Sequence, residues 1–251
     1  KRKIFVVVLL LSLSLFAWAE EVTVAAAANI APTVEELKAI FESRNPGITV
    51  TIVAGSSGKL STQIRSGAPF DLFLSADMGY AEGLVKDGFA KGPVRIYAQG
   101  AIILFVMKGA ANLSPSILSS RVISTIAIAK PELAPYGRAA VEAMKSLGLY
   151  DAVLGKIVYG ENISQAAQMA LTASDAAFIN KSALYTDAFA PYRDRKGTNW
   201  IEMDPASYAP IEQGTVILTQ GAGKRGAELF YAFLFSPDAR NLFVSKGYLV
   251  P

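Results

Sequence analysis

The 251-residue chain contains no cysteine and no histidine. Without cysteine there is no disulfide, no thiolate nucleophile and no thiolate metal site. Without histidine there is no Ser-His-Asp triad, no imidazole base and no imidazole metal ligand. Most hydrolase and metalloenzyme designs are thereby excluded, and carboxylate or lysine catalysis remains. Charge is also sparse: 18% of the residues are Asp, Glu, Lys or Arg, against 52% hydrophobic. A chain of this length and composition can bury a substantial core without covalent staples.

The excess positive charge sits at one end. The formal charge is +3, and the first three residues are Lys1, Arg2 and Lys3. An apolar run follows from Ile4 to Phe16, broken by two serines, and Ala17-Trp18-Ala19 then precedes Glu20-Glu21. A basic head, an apolar middle and a small-x-small exit are the layout of a secretory signal peptide, expected to occupy residues 1–19. The run is shorter than the ~20 apolar residues a membrane-spanning helix needs. A lipid-anchored export signal would need a cysteine, so the mature chain is expected to be free in solution. From Glu20 onward basic and acidic residues balance at 21 each. No block of like charge remains to mark a nucleic-acid or membrane surface.

About 230 residues then remain, enough for one large domain or two modest lobes. Strands alternate with helices along them. Val22–Ala28 reads as a buried strand, and beyond Pro32 the residues Val34, Leu37, Ile40 and Phe41 recur at helical spacing. Ile48–Val53, Asp71–Ser75, Ile123–Ala129, Ile157–Tyr159, Ala176–Ile179 and Gly214–Thr219 read as further strands. Helices are expected from Ser57, around Tyr80–Lys86, through Ala140–Leu147, after Ile163, and twice between Arg225 and Lys246. The alternation predicts an α/β protein with mostly parallel sheets. Two long apolar strands, Ala101–Met107 and Val216–Thr219, are the candidate crossings between lobes. They divide the chain into a first lobe at 20–98 with 217–251 returning to it, and a second at 99–216.

In open α/β sheets, ligands sit beyond the carboxyl ends of the strands. The turns there offer an amide at Asn29, hydroxyls at Ser56 and Ser57, and a phenol at Tyr136. All but Tyr136 lie close to a helix start, where free N–H groups and the positive end of the helix dipole favour an anion. Asn29 and Ser57 are also good N-cap residues, and each could simply cap its own helix. Tyr136, between Pro135 and Gly137, could be an ordinary turn residue, and Ile163 would ordinarily be core. Gly55-Ser56-Ser57-Gly58-Lys59 superficially matches a phosphate loop, but only two residues separate its glycines where four are required.

Val24-Ala25-Ala26-Ala27-Ala28-Asn29, Gly55-Ser56-Ser57-Gly58-Lys59-Leu60 and the run from Gln63 to Asp77 resemble the molybdate-binding receptors of ABC importers. Within that run, Gly67-Ala68-Pro69-Phe70-Asp71-Leu72-Phe73-Leu74-Ser75-Ala76-Asp77 is the most specific part. Lys130-Pro131-Glu132 to Tyr136-Gly137 and Gly247-Tyr248 extend the similarity over nearly the whole mature chain. The resemblance implies a two-lobed periplasmic-binding-protein clamshell, each lobe a mostly parallel sheet flanked by helices. It would close on molybdate or tungstate in the interlobe cleft, holding the oxyanion with neutral hydrogen-bond donors. By position the ligand residues would be Ala28, Asn29, Ser57, Tyr136, Ile163 and Asn180. Asn180 stands where some members have a binding tyrosine. The resemblance also implies a periplasmic monomer that needs no cofactor, binds no nucleic acid and delivers its ligand to a membrane permease.

Two other readings compete. The ligand could instead be sulfate, phosphate or an organic anion, although the turns hold no carboxylate to accept a phosphate proton. Arg138 is the only candidate for the ion pair of an amino-acid receptor, and the adjacent tyrosines of a ferric receptor are missing. Alternatively the fold could carry an enzyme, such as a dehydratase using Glu132 or Glu161 as a general acid; surface carboxylates are usually just solvated.

Overall fold

Val22, Val24, Ala25, Ala26 and Ala27 are all buried. They form β1 (Glu20–Ala27), the strand from which the first sheet is built. The computed structural model describes residues 20–251, so the predicted leader lies outside the described residues. β1 pairs in parallel with β2 (Ile48–Gly55) on one side and β3 (Leu72–Leu74) on the other. The connections are helical: α1 (Ala31–Arg44) and α2 (Ser57–Arg65). α1 starts with a proline in its first turn and buries Val34, Leu37 and Phe41 at the expected three- and four-residue steps. Phe41 meets Phe230 edge to face, with centroids 5.0 Å apart, tying α1 to α7 (Arg225–Phe233). Fully burying a side chain of this kind contributes about 1.5–3 kcal/mol.

Beyond β3, α3 (Met78–Lys86) leads into β4 (Ala90–Gly100). β10 (Ile211–Leu218) lies antiparallel between β3 and β4, so the first sheet runs β2-β1-β3-β10-β4. α7 and α8 (Pro237–Ser245) complete this lobe. The second sheet repeats the plan as β7-β6-β8-β5-β9. Its parallel strands are β6 (Ile126–Ala129), β7 (Ile157–Gly160) and β8 (Ala176–Asn180), while β5 (Ile102–Val106) is antiparallel to β8 and to β9 (Trp200–Glu202). α4 (Pro135–Ser146), α5 (Tyr150–Val153) and α6 (Ile163–Thr172) complete it. No helix among the described residues is long and apolar enough to cross a membrane.

The α/β clamshell is therefore present, with its crossings placed differently from the expectation. Ala101 alone separates β4 in one sheet from β5 in the other, and β5 lies wholly within the second sheet. The chain is back in the first sheet at Ile211, ahead of the expected return at 217. A strand buried on both faces and a strand that crosses between lobes are both continuous apolar runs, so hydrophobicity could not separate them. β4 was not anticipated. Its first half is largely exposed through Lys91-Gly92-Pro93, and it is an edge strand, where proline is tolerated.

Candidate anion-binding site

The carboxyl ends of β1, β2, β6 and β7 face one another across the cleft, and each feeds a turn that opens a helix. These turns line a small, partly open pocket, with Ala28, Asn29, Ser57, Tyr136 and Ile163 in its wall. Five of the six expected site residues are thus brought together. No charged side chain lines this cavity.

Three of the five stand in the first turn of a helix. Ser57 is the first residue of α2, Ile163 the first of α6, and Tyr136 the second of α4. First-turn N–H groups have no intrahelical acceptor. Among the described residues, the N–H groups of Asn29, Ser57, Tyr136 and Ile163 donate to no protein acceptor. The positive ends of three helix dipoles meet at the same place. Tyr136 was expected to lie apart from any helix start, but Pro135 opens α4 directly before it. A side chain at Gly137 would overlap the Ala129 carbonyl, so glycine lets α4 start against the end of β6.

The side chains work differently from the simple expectation. Neither Asn29 nor Ser57 caps a helix. Ser57 Oγ accepts the Ala76 N–H at 2.9 Å, which leaves its own hydrogen to donate. The Asn29 amide turns towards the hinge. Its Nδ2 donates to Gln213 Oε1 at 2.7 Å and lies 3.3 Å from the hydroxyls of Tyr136 and Tyr248. Asn29 and Tyr136 therefore offer the cavity backbone N–H groups, while their polar side-chain ends hold each other. The Tyr136 hydroxyl also sits where a side chain at position 100 would fall, so Gly100 must be glycine beside the lobe crossing. Ala28 has no donor to spare, because its N–H is bound to the Gly55 carbonyl at 2.8 Å. It supplies wall, and its carbonyl accepts from Ser164 Oγ of the opposite lobe at 3.0 Å.

Asn180 lies elsewhere. Its side chain donates to Ser182 at 2.6 Å, and it lines a neighbouring groove of about 520 Å³ instead of the small pocket. Ser182 donates to Tyr248, whose hydroxyl donates to the Asn29 carbonyl at 2.8 Å. Asn180 is thus two side chains removed from the cavity wall. Of the acids an enzyme would use, Glu132 is exposed and Glu161 pairs with Lys59 at the surface, 3.4 Å away. Neither lines the cavity.

The lobes are closed on each other. Gly58 N–H donates to the Leu133 carbonyl at 2.9 Å, Tyr80 donates to the Glu132 carbonyl at 3.0 Å, and Arg138 pairs with Asp77. All three bonds join the first lobe to the second around the cavity mouth.

A family model described as bacterial extracellular solute-binding protein matches residues 22–249. The chain belongs to that family. Among its relatives is the molybdate-binding protein ModA of Rhodobacter capsulatus, 35% identical over 96% of this chain and 93% of its own. The protein of the same name from Azotobacter vinelandii is 34% identical over 92% and 91%. The solved structure of a periplasmic molybdate-binding protein of A. vinelandii superposes with a TM-score of 0.83 at 30% identity, covering 92% of this chain and 99% of that one. A sulfate-binding protein of Mycobacterium tuberculosis shares the fold, with a TM-score of 0.74 at 16% identity.

In this solute-binding protein, sequence reading missed the groups that brace Asn29. Gln213 is wholly buried, and its Oε1 also accepts from Tyr97 at 3.2 Å. The signal available was a buried glutamine beside the apolar run that ends its strand. Burial pushes the phenols of Tyr97 and Tyr136 well above the ordinary tyrosine range, and that of Tyr248 up to about 12. All three stay neutral through pH 9, so anion affinity should be nearly flat from pH 6 to 9; a tenfold drift in a calorimetric series would contradict this. Stability should behave otherwise. Folded-state values raised above the unfolded ~10 favour the native state fully below pH 10, and that contribution is lost as pH rises from 10 towards 12. Melting temperature should therefore fall steeply above pH 10.

Proposed function

We propose that this solute-binding protein captures molybdate or tungstate in the periplasm and delivers it to the membrane permease of an ABC importer. The observation that carries the reading is the convergence of four uncommitted N–H groups and the Ser57 hydroxyl on a small cavity with no charged wall. A fully ionised tetrahedral dianion has only acceptors to offer, and the uncommitted N–H groups and the Ser57 hydroxyl are donors to match them. Phosphate near neutrality carries a proton that needs an acceptor, and no carboxylate lines the wall. The names of the relatives support the same ligand. Molybdate and sulfate carry equivalent charge and acceptors, so discrimination between them falls to cavity size. The layout of the first 19 residues supports export, with Glu20 as the first residue after cleavage. Delivery would be by a monomer, with no cofactor and no nucleic acid involved.

Melting curves provide the test. Saturating molybdate or tungstate should raise the melting temperature, since a ligand held only by the native state stabilises it in proportion to ln(1 + [L]/Kd). Sulfate at the same concentration should move it far less. A larger shift with sulfate, or none with any oxyanion, would overturn the proposal.

A further inference from the structure

Ser56 is the N-cap residue of α2, yet its side chain caps nothing. Its backbone is extended, as at most N-caps, and a serine there ordinarily accepts from the second or third helical N–H. In this chain the second of those, Gly58 N–H, donates instead to the Leu133 carbonyl of the opposite lobe. Ser56 is 4% exposed, and its Oγ has no hydrogen-bond partner among the described residues. It lines the small cavity beside Ser57. A buried hydroxyl without a partner is unfavourable, and buried polar groups in native proteins are nearly always paired.

We infer that Ser56 is a further binding residue, whose hydroxyl donates to the bound oxyanion in the closed state. This rests on the oxyanion reading above and adds a second side-chain donor next to Ser57. It also links the site to closure. When the lobes part, Leu133 leaves Gly58, and the freed N–H returns to Ser56 as an ordinary cap. The same hydroxyl then serves the helix in the open form and the ligand in the closed one.

Titration calorimetry of the full chain with tungstate tests this, using Ser56→Gly and Ser56→Ala. Glycine is nearly as good an N-cap as serine, whereas alanine is poor, so the glycine variant isolates the loss of the donor. Both variants should bind tungstate about fivefold to tenfold more weakly. The ligand-free glycine variant should melt with the parent. If Ser56→Gly binds like the parent and only Ser56→Ala is weakened, Ser56 is merely a cap and the inference is overturned. A parent that binds no oxyanion at all would overturn the functional reading with it.

Discussion

Gly58→Val should leave both lobes folded and weaken oxyanion capture by roughly tenfold to a hundredfold. Position 58 lies in the first turn of α2 and is not one of the glycines with positive φ, so a side chain there meets no backbone strain. What it meets is the other lobe. A Cβ would lie 2.8 Å from the Tyr80 hydroxyl and 3.1 Å from both Cα and O of Leu133. The Tyr80 hydroxyl can move, but the Leu133 backbone reaches this position only when the cleft is shut. Overpacking of this kind costs about 1–3 kcal/mol, and here the cost falls on the closed form alone. A ligand shifts the open–closed balance only by what it binds better in the closed form, so the same energy appears as lost affinity. The ligand-free variant should melt at or near the parent temperature. Small-angle scattering with saturating tungstate should then show a more open particle than the parent. Parental affinity in Gly58→Val would mean that the Gly58–Leu133 contact is not part of the ligand-bound state.

Ser57→Asp should abolish measurable binding, a loss of at least a thousandfold, while Ser57→Ala loses about tenfold. The alanine change removes one neutral donor, about 1 kcal/mol or somewhat more where it strands an anion oxygen. The aspartate change adds like charge to a cavity with no cation in its wall. Two unit charges 4 Å apart at an effective dielectric of 20 repel by about 4 kcal/mol, and the ligand carries two. The fold should survive, because an acid in the first turn of a helix is favourable. Calorimetry gives both affinities and circular dichroism the control. A Ser57→Asp protein that binds within tenfold of the parent would place the anion somewhere other than beside α2.

These two positions also show how far the sequence could be read. Gly58 and Ser57 lie in a local pattern, strand then polar turn then helix, and such a pattern is legible because neighbouring residues carry the periodicity that defines it. The same holds for Ile163 at the start of α6. The partners of Asn29 were out of reach: its amide is held by Gln213 and Tyr248, 184 and 219 positions away. The amide expected to serve the site instead braces the hinge, while the Asn29 backbone N–H stays uncommitted. For Tyr136 the flanking Pro135 and Gly137 left an ordinary turn open beside a ligand role, whereas that proline opens α4. Asn180 was assigned by position in a resembling family. It ends β8, the second-lobe counterpart of β3, but its side chain points into the Ser182–Tyr248 chain. Fold class was legible from periodicity alone, whereas the lobe boundaries depended on which sheet each apolar strand joins.

The most direct test of the charge-free cage is a crystal structure of the tungstate complex, with the metal located by its anomalous scattering. The cage predicts a single tungsten site between the starts of α2, α4 and α6. Its oxygens should lie about 2.7–3.2 Å from the N–H groups of Asn29, Ser57, Tyr136 and Ile163 and from Ser57 Oγ. Tungsten found instead in the larger groove beside Asn180, or held by a lysine or arginine side chain, would contradict it.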